Sequence, residues 1–290
     1  MTKNSSPLVF DIGMHNGDDT AFYLSCGFKV VAVEADPSLA AQARTRFKEE
    51  IALGKLVIKN VGIWENEGNA TFWINSKRTH FNSFDKEIAG RFGDEIHPIL
   101  IPCQSFKSLI GEFGVPYYAK IDIEGYDIIC VRQLKSEIAP QFISVEMTLS
   151  DNLPFALSEI GYSKFKIVRQ HGFVVPESTS LTFTEFAFRF LTRKANHKVH
   201  LRTLRKRVSR RTAATLLALA RVASVWGEND RFQSKMNPDW IFTEGSSGSF
   251  GEDLPGSWMK RDEIIKIWSR DLEYYQKIGR ECWCDLHATY

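Results

Sequence analysis

The chain has 290 residues, enough for one large domain or for a core domain that carries a sizeable insertion. Apolar residues make up 43% of it and charged residues 25%, which argues against disorder over the whole length. The net charge is +2, and the 5 cysteines are scattered, so no disulfide framework is implied. The sequence shows no signal-peptide pattern and no run of about 18 apolar residues, so we expect a cytoplasmic protein.

Strand-like and helix-like periods alternate through the first 170 residues, the order expected of a parallel sheet with crossover helices. The predicted strands are residues 7–12, 29–34, 55–60, 69–74, 99–103, 117–123, 142–147 and 163–168, and the predicted helices are 18–26, 37–53, 105–113, 126–135 and 154–160. Residues 76–94 show no clear period and are predicted as a loop with one helical turn. The pattern predicts an α/β fold with a Rossmann-like, doubly wound sheet.

The alternation stops at about residue 171. Residues 189–211 carry ten lysines and arginines and no acid, so they can bind phosphate, acidic glycan or anionic lipid, or form a solvated helix face. Helices are predicted at 213–225 and 260–278, and a strand at 282–290. Between those helices, the glycine- and serine-rich residues 244–258 are predicted to form a flexible lid.

The strongest motif is DIGMHNG, residues 11–17, which stands between a predicted strand and a predicted helix. Gly13 and Gly17 allow the turn and the helix N-terminus to come close to a ligand. Glu34 ends the next strand, where its carboxylate can accept hydrogen bonds from ribose hydroxyls. The motif therefore favours a nucleotide site, and a tight turn without a ligand is the alternative reading of the motif alone.

The charge of Asp11 decides between nucleotides. Dinucleotide sites use G-x-G-x-x-G, and here Asp11 occupies the position of the first glycine. A carboxylate there repels pyrophosphate and suits the ammonium and sulfonium groups of S-adenosylmethionine. The motif therefore favours that cofactor over NAD and disfavours an NAD-dependent oxidoreductase.

A second motif, KIDIEG, ends the strand predicted at 117–123. The period of two along a strand predicts that Asp122 and Glu124 share a face, and ligands of open α/β sheets bind beyond the carboxyl ends of the strands. Two carboxylates are thus expected near the cofactor. The alternative is a solvated strand end closed by Gly125.

Together, the D-x-G-x-x-x-G motif, the acid in VVAVEADP and KIDIEG resemble the FkbM methyltransferase family over residues 9–145. The resemblance implies methyl transfer from S-adenosylmethionine to a hydroxyl oxygen, often of a sugar or a glycosylated metabolite. It also implies a class I methyltransferase sheet whose last strand is antiparallel. The final WCDLHATY resembles that strand, which predicts a core of residues 1–170 plus 281–290 and a mostly helical insertion, 171–280, that shapes the acceptor site.

The resemblance also implies a set of cofactor contacts at particular positions of this sequence. The glycine loop and the acid after the second strand give the nucleotide contacts, and Asp122 lies beside the methionine portion. The implied cofactor-binding residues are Asp11, Gly13, His15, Asn16, Gly17, Glu34, Ala35, Asn60, Val61, Ser83 and Asp122.

Methyl transfer to a hydroxyl is a direct displacement, helped by positioning of the acceptor and by a general base. The candidate bases are His15, His80, Asp122, Glu124 and Glu146, of which Asp122 and Glu124 are favoured.

No metal is expected. Residues 282 and 284 are cysteines that would share one strand face, whereas His287 would point to the other.

The acceptor predicted from these observations is a small molecule or glycan, and the basic segment 189–211 would suit an acidic one. Two alternatives stay open. One is an RNA methyltransferase that uses the basic segment, although this run lacks the interleaved aromatic residues of a stacking platform. The other is an inactive binding protein with the same fold.

Overall fold

The computed structural model describes residues 6–147, 152–170, 233–243, 245–277 and 282–290. The strands in these residues are β1 (Leu8–Ile12), β2 (Lys29–Val33), β3 (Leu56–Lys59), β4 (Gly62–Trp64), β5 (Gly68–Asn75), β6 (Ile96–Ser105), β7 (Tyr118–Ile121), β8 (Phe142–Glu146), β9 (Lys164–Arg169) and β10 (Cys284–Thr289). The main sheet has the order β3-β2-β1-β7-β8-β10-β9. It is parallel except for β10, which is antiparallel to both neighbours. The predicted fold class is confirmed, including the antiparallel last strand.

The helices in the described residues are α1 (Asp18–Ser25), α2 (Pro37–Arg46), α3 (Lys48–Ala52), α4 (Lys86–Gly90), α5 (Phe106–Phe113), α6 (Asp127–Arg132), α7 (Leu153–Ile160) and α8 (Arg261–Lys277). The single helix predicted over 37–53 is instead two, because the backbone at Phe47 (φ −107°, ψ 27°) leaves the helical region while its ring stays buried. Among these helices, none combines the length and the apolar character that crossing a membrane requires.

Both faces of the main sheet are covered, as a doubly wound sheet requires. Alternate side chains of each strand enter opposite cores: in β1, Phe10 and Ile12 pack with α5, α6, α7 and α8, whereas Val9 packs with α1 and α2. Strands buried on both sides read as continuous apolar runs, which is why they were visible in the sequence. The order reverses between β1 and β7, and at such a switch point the carboxyl ends of strands leave a crevice for ligands.

A second sheet, in the order β4-β6-β5, corrects the predicted arrangement. The strands predicted at 69–74 and 99–103 were expected to continue the main alternation, yet they pair antiparallel with each other outside the main sheet. The physical reason is exposure, since β5 has several solvent-accessible positions and could not lie in the middle of a covered sheet. In the predicted loop 76–94, the structure has a 3-10 turn at Thr79–Phe81 and helix α4.

The connection from β9 to β10 contributes to both cores. Phe242 and Phe250 pack on the α1 side of the sheet, whereas Ile264 and Ile267 of α8 pack on the other side. The serines at 246, 247 and 249 are buried, so the described part of the segment predicted as a flexible lid is packed against the protein. The helix predicted at 213–225 and the basic segment 189–211 lie outside the described residues.

Phe250 is the residue of this connection whose loss should cost most on the α1 side. Its ring is 3% exposed and stacks on Tyr118 at a centroid distance of 3.8 Å and an interplanar angle of 9°. We expect Phe250→Ala to lower the free energy of unfolding in urea by about 3–5 kcal/mol, because it leaves a cavity against the sheet. Ile241→Ala is the control: that side chain is 80% exposed and should change stability by about 0.5 kcal/mol or less. Equal losses for the two variants would mean that the connection is not part of the core.

Candidate active site

The loop between β1 and α1 touches the end of β7. Gly13 has φ +83°, and a Cβ built there would lie 1.8 Å from the carbonyl oxygen of Asp122. The amides of Gly13 and Met14 both donate to the carbonyl of Val33, at 3.0 Å each. Only glycine at position 13 permits the backbone of the loop to come this close to β7. The glycine motif therefore holds the ends of β1, β2 and β7 together.

Glu34 follows β2 and is held in one orientation by two backbone amides. Its Oε2 accepts from the amide of His15 and its Oε1 from the amide of Asp36, both at 2.8 Å. The side chain is 6% exposed, and burial raises its pKa to about 7 although these amide hydrogen bonds act in the opposite direction. Each carboxylate oxygen keeps accepting capacity, so Glu34 can bind a pair of ligand hydroxyls.

A cleft lies between the glycine loop, the end of β2 and the second sheet. Five residues of its lining were predicted as cofactor contacts: Gly13, His15, Glu34, Ala35 and Val61. Other parts of the lining were not predicted, including Ile63, Phe72, Thr79, Asn82 and Phe84. These come from the second sheet and from the loop without a clear period, whose position the sequence pattern does not reveal. His80, predicted as a candidate base, also lines the cleft.

Other predicted contacts lie outside the lining of the cleft. Asn60 donates to the carbonyls of Glu34 and Ala35, at 2.8 and 3.1 Å. Ser83 is fully buried and donates to the carbonyl of Glu124 at 2.8 Å. The side chain of Asn16 is exposed and bonds to Asp18. Their direct contact with a cofactor stays a prediction. Gly17, likewise outside the lining, caps α1 with φ +81°.

Asp11 is fully buried, which corrects the charge argument made from the sequence. Its Oδ2 accepts from the hydroxyl of Thr20 at 2.6 Å, and its Oδ1 lies 3.5 Å from the ammonium of Lys120. Burial raises the pKa of Asp11 to about 6, although Lys120 acts to lower it. The carboxylate therefore lies behind the glycine loop, paired with a cation, rather than in the cleft lining.

Lys120 was missed by the sequence analysis. Its ammonium donates to the carbonyl of Gly13 at 3.1 Å and lies 3.4 Å from Asp122 and 3.6 Å from Asp19. Burial alone would lower the pKa of Lys120, but the surrounding carboxylates outweigh burial and raise it. The sequence did offer one signal for this role, a lysine inside an otherwise apolar strand. Buried lysines almost always have charged partners, so its position indicated nearby carboxylates.

Three carboxylates converge beyond the ends of β7 and β8. One oxygen from each of Asp122, Glu124 and Glu146 lies within 4.8 Å of the others. The predicted reason for this convergence was wrong, because β7 ends at Ile121 and Glu124 has a left-handed backbone with φ +51°. The turn, rather than strand alternation, brings the carboxylates together. Such a group can take up a proton, and its oxygens could also hold a divalent cation.

The surroundings of the two candidate histidines, His15 and His80, favour the neutral form of the imidazole. A ring nitrogen of His15 is 2.9 Å from the hydroxyl of Thr79. Burial and the neighbouring His80 lower the pKa of His15, and burial and Arg91 lower the pKa of His80.

A half-buried and an exposed aromatic ring, those of Phe81 and Phe92, lie next to the cleft. The guanidinium of Arg91 stacks over Phe81 at 3.7 Å and pairs with Glu124 at 2.9 Å. The ring of Phe92 lies 5.1 Å from that of Phe81 and is 52% exposed. Because His80 adjoins Phe81 at 4.1 Å, these rings extend outward from the cleft lining.

The close approach at Gly13 can be tested against a glycine with the same backbone. Gly27 has φ +85° and open space around a built Cβ, so Gly27→Ala should cost about 1–2 kcal/mol from backbone strain alone. We expect Gly13→Ala to cost about twice that or more in urea unfolding, because the loop must also move away from Asp122. Similar losses at both positions would mean that the loop and β7 are not in contact.

The described geometry can be compared with known proteins. A search of the curated proteins returned no significant match. Similar solved structures include the methyltransferase FkbM from Methylobacillus flagellatus, 17% identical over 56% of this chain and 40% of that chain, with a TM-score of 0.40. Another is phosphoethanolamine N-methyltransferase 2 from Haemonchus contortus in complex with S-adenosyl-L-methionine, 10% identical over 99% of this chain and 49% of that chain, with a TM-score of 0.36.

This chain therefore spans less than half the length of these two proteins. A third, the precorrin-6y C5,15-methyltransferase from Geobacter metallireducens, is 14% identical over 60% of this chain and 75% of that chain, with a TM-score of 0.30. The sequence model of the methyltransferase FkbM domain matches residues 11–175, more than half of the chain. The chain belongs to the FkbM methyltransferase family.

Proposed function

We propose that this protein binds S-adenosylmethionine in the cleft and transfers its methyl group to a hydroxyl oxygen of a sugar, glycoconjugate or related metabolite. The observation that carries the proposal is the Glu34 carboxylate, which follows β2, is fixed by two backbone amides and lines the cleft. Acids at this place in such sheets bind ribose hydroxyls. Membership of the methyltransferase family supports the identity of the nucleoside.

The residues of the cleft fit an adenosine beyond its ribose. The apolar side chains of Val61, Ile63, Phe72 and Phe84 line one part of it, and a purine ring can pack against such groups. In the described structure, Lys120 lies between Asp11, Asp19 and Asp122 beneath the glycine loop and partly offsets their negative charge. That pairing is compatible with a zwitterionic methionine portion near the loop.

When bound, S-adenosylmethionine supplies an electrophilic methyl group, whose bond to sulfur breaks as the bond to the acceptor oxygen forms. The protein's share of the work is to hold the acceptor in line and to accept its proton. The carboxylates at the ends of β7 and β8 supply proton-accepting groups beside the glycine loop. The same carboxylates favour a neutral hydroxyl acceptor over an anionic one.

The half-buried ring of Phe81 and the exposed ring of Phe92 support a carbohydrate acceptor. Sugar rings present apolar faces that pack on aromatic rings, while their hydroxyls bond to neighbouring charged groups. Here Arg91 and Glu124 are the charged groups that adjoin the rings. The RNA alternative depends on residues 189–211, which lie outside the described residues.

Calorimetric titration with S-adenosylmethionine tests the role of Glu34. Losing two hydrogen bonds to a charged group costs about 3 kcal/mol, so Glu34→Ala should weaken binding by about 100-fold. Ribose hydroxyls bond best to the ionised carboxylate, and burial raises the pKa of Glu34 to about 7. The affinity of the wild type should therefore rise as the pH increases through about 7, and Glu34→Gln should lose this dependence.

The matched control for this titration is Glu49→Ala, which removes an exposed glutamate on α3 and should leave the affinity unchanged. NAD is the competing ligand. Tighter binding of NAD, or equal affinities for wild type and Glu34→Ala, would contradict the proposal.

Phe92 tests the acceptor class. We expect Phe92→Ala to raise the KM for a glycoside acceptor by up to about tenfold with little change in kcat, because stacking on an aromatic ring is worth about 1 kcal/mol. The assay supplies S-adenosylmethionine with a deuterated methyl group and a panel of methyl glycosides, and detects the product by mass. Phe155→Ala is the control, since this ring is 39% exposed and also lies beneath an arginine, at 4.3 Å, but on α7. Equal effects of the two variants would exclude Phe92 from the acceptor site.

A further inference from the structure

Beyond the ends of β7 and β8, the carboxylates of the described residues differ in their partners. Asp122 lies 3.4 Å from the ammonium of Lys120, and Glu124 lies 2.9 Å from the guanidinium of Arg91. Each of these two carboxylates therefore already has a cationic partner. An acceptor hydroxyl that approached either carboxylate would have to compete with that partner.

Two further carboxyl groups face the same place from α6 and β10. Asp127 accepts from the amides of Ile123 and Gly125, at 3.1 and 3.2 Å, and so closes the turn after β7. Asp285 accepts from the side-chain amide of Gln170 at 2.5 Å. Each of these acids thus has a structural role in its own element.

Glu146 is different, because among the described residues no hydrogen bond or ion pair joins its carboxylate to another group. It is the last residue of β8 and lies opposite Asp285 of β10, so its backbone is fixed in the sheet. Its oxygen lies within 4.8 Å of those of Asp122 and Glu124. Its backbone is thus fixed while its carboxylate has no partner in the described part of the chain, and it stands at the carboxyl end of a strand, where ligands of such sheets bind.

We propose that Glu146 is the general base of this protein, the group that takes the proton from the acceptor hydroxyl. This inference rests on the proposed methyl transfer to oxygen. The O–H bond of the acceptor breaks as its proton passes to a carboxylate oxygen of Glu146. An electron pair of the acceptor oxygen forms the new bond to the methyl carbon, and the bond from that carbon to sulfur breaks, which leaves S-adenosylhomocysteine. The assignment of Glu146 replaces the preference for Asp122 or Glu124 drawn from the sequence, because both of those carboxylates have cationic partners.

The surroundings of Glu146 suit this role. Burial raises its pKa well above the ordinary value, and the negative charges of Asp122, Glu124, Asp127 and Asp285 raise it further. A raised pKa brings a carboxylate closer to the working pH, where a general base is most effective. Because only the ionised form accepts a proton, the rate of methyl transfer should rise with pH through this pKa.

Infrared titration of Glu146→Gln against the wild type tests the proposal without turnover. The difference spectrum should contain the band of a protonated carboxyl at about pH 6, where an exposed glutamate is ionised. Absence of this band would mean that Glu146 is ionised at this pH like an exposed glutamate, which would contradict its assignment as the base. The control is Glu159→Gln, which removes an exposed glutamate on α7 and should give no such band.

The rate of transfer to methyl glycosides is the second measurement. We expect Glu146→Gln to lower kcat by about 100-fold or more and to abolish its rise with pH, with the affinity for S-adenosylmethionine within about twofold of the wild type. Asp122→Asn and Glu124→Gln should both keep the rise with pH. If either of them abolishes it while Glu146→Gln keeps it, the base is misassigned.

Two other outcomes separate this proposal from its alternatives. If a chelator abolishes the activity and magnesium restores it, the carboxylates act through a cation and the assignment of a base is wrong. If the wild type binds no S-adenosylmethionine, the proposed function fails, and the infrared band of Glu146 then reports only on its environment.

Discussion

The arrangement of the site depends on one buried cation, the ammonium of Lys120. Its side chain is about 5% exposed and is surrounded by Asp11, Asp19 and Asp122, which come from β1, α1 and the end of β7. It also donates to the carbonyl of Gly13. Breaking such a buried cluster by removing one partner costs about 3–5 kcal/mol, so these elements are held in a fixed relation. The glycine loop and the carboxylates beyond β7 are thereby positioned together.

The same cluster anchors the connection between β9 and β10. Asp19 accepts from the amide of Ser247 at 3.1 Å and from the hydroxyl of Ser246. Phe250 then stacks on Tyr118, two residues before Lys120 in the same strand. Residues 244–258 of this connection were expected from their glycines to form a flexible lid. Ser246 and Ser247 are instead bonded to Asp19, so this part of the connection and the glycine loop share the support of the Lys120 cluster.

Much of the fold could be predicted from the sequence, because strands buried on both faces give continuous apolar runs. The glycine loop and Glu34 could also be predicted, since their positions follow from the strand–turn–helix order. The partners of Asp11 could not, because nothing local to β1 indicates that Lys120 lies beside it. The second sheet was missed for a similar reason: its pairing is between residues distant in sequence, and alternation does not specify which sheet a strand joins.

The convergence of carboxylates illustrates the same limit. Asp122 and Glu124 were expected to meet through strand geometry, whereas the left-handed backbone of Glu124 brings them together. Glu146 joins them because β8 lies beside β7, a neighbour relation that the order of strands in the chain does not specify. The residue types along the sequence thus indicated carboxylate chemistry. Only the tertiary structure shows which carboxylate, that of Glu146, has no cationic or hydrogen-bonding partner among the described residues.

The central claim is that the cleft beside Glu34 holds S-adenosylmethionine with its reactive end towards the carboxylates beyond β7 and β8. The most direct measurement is a crystal structure of the protein with S-adenosylhomocysteine. We expect the ribose hydroxyls to bond to the Glu34 carboxylate and the sulfur to lie on the side of Asp122 and Glu146. A nucleoside bound away from Glu34, or a sulfur directed away from these carboxylates, would contradict it.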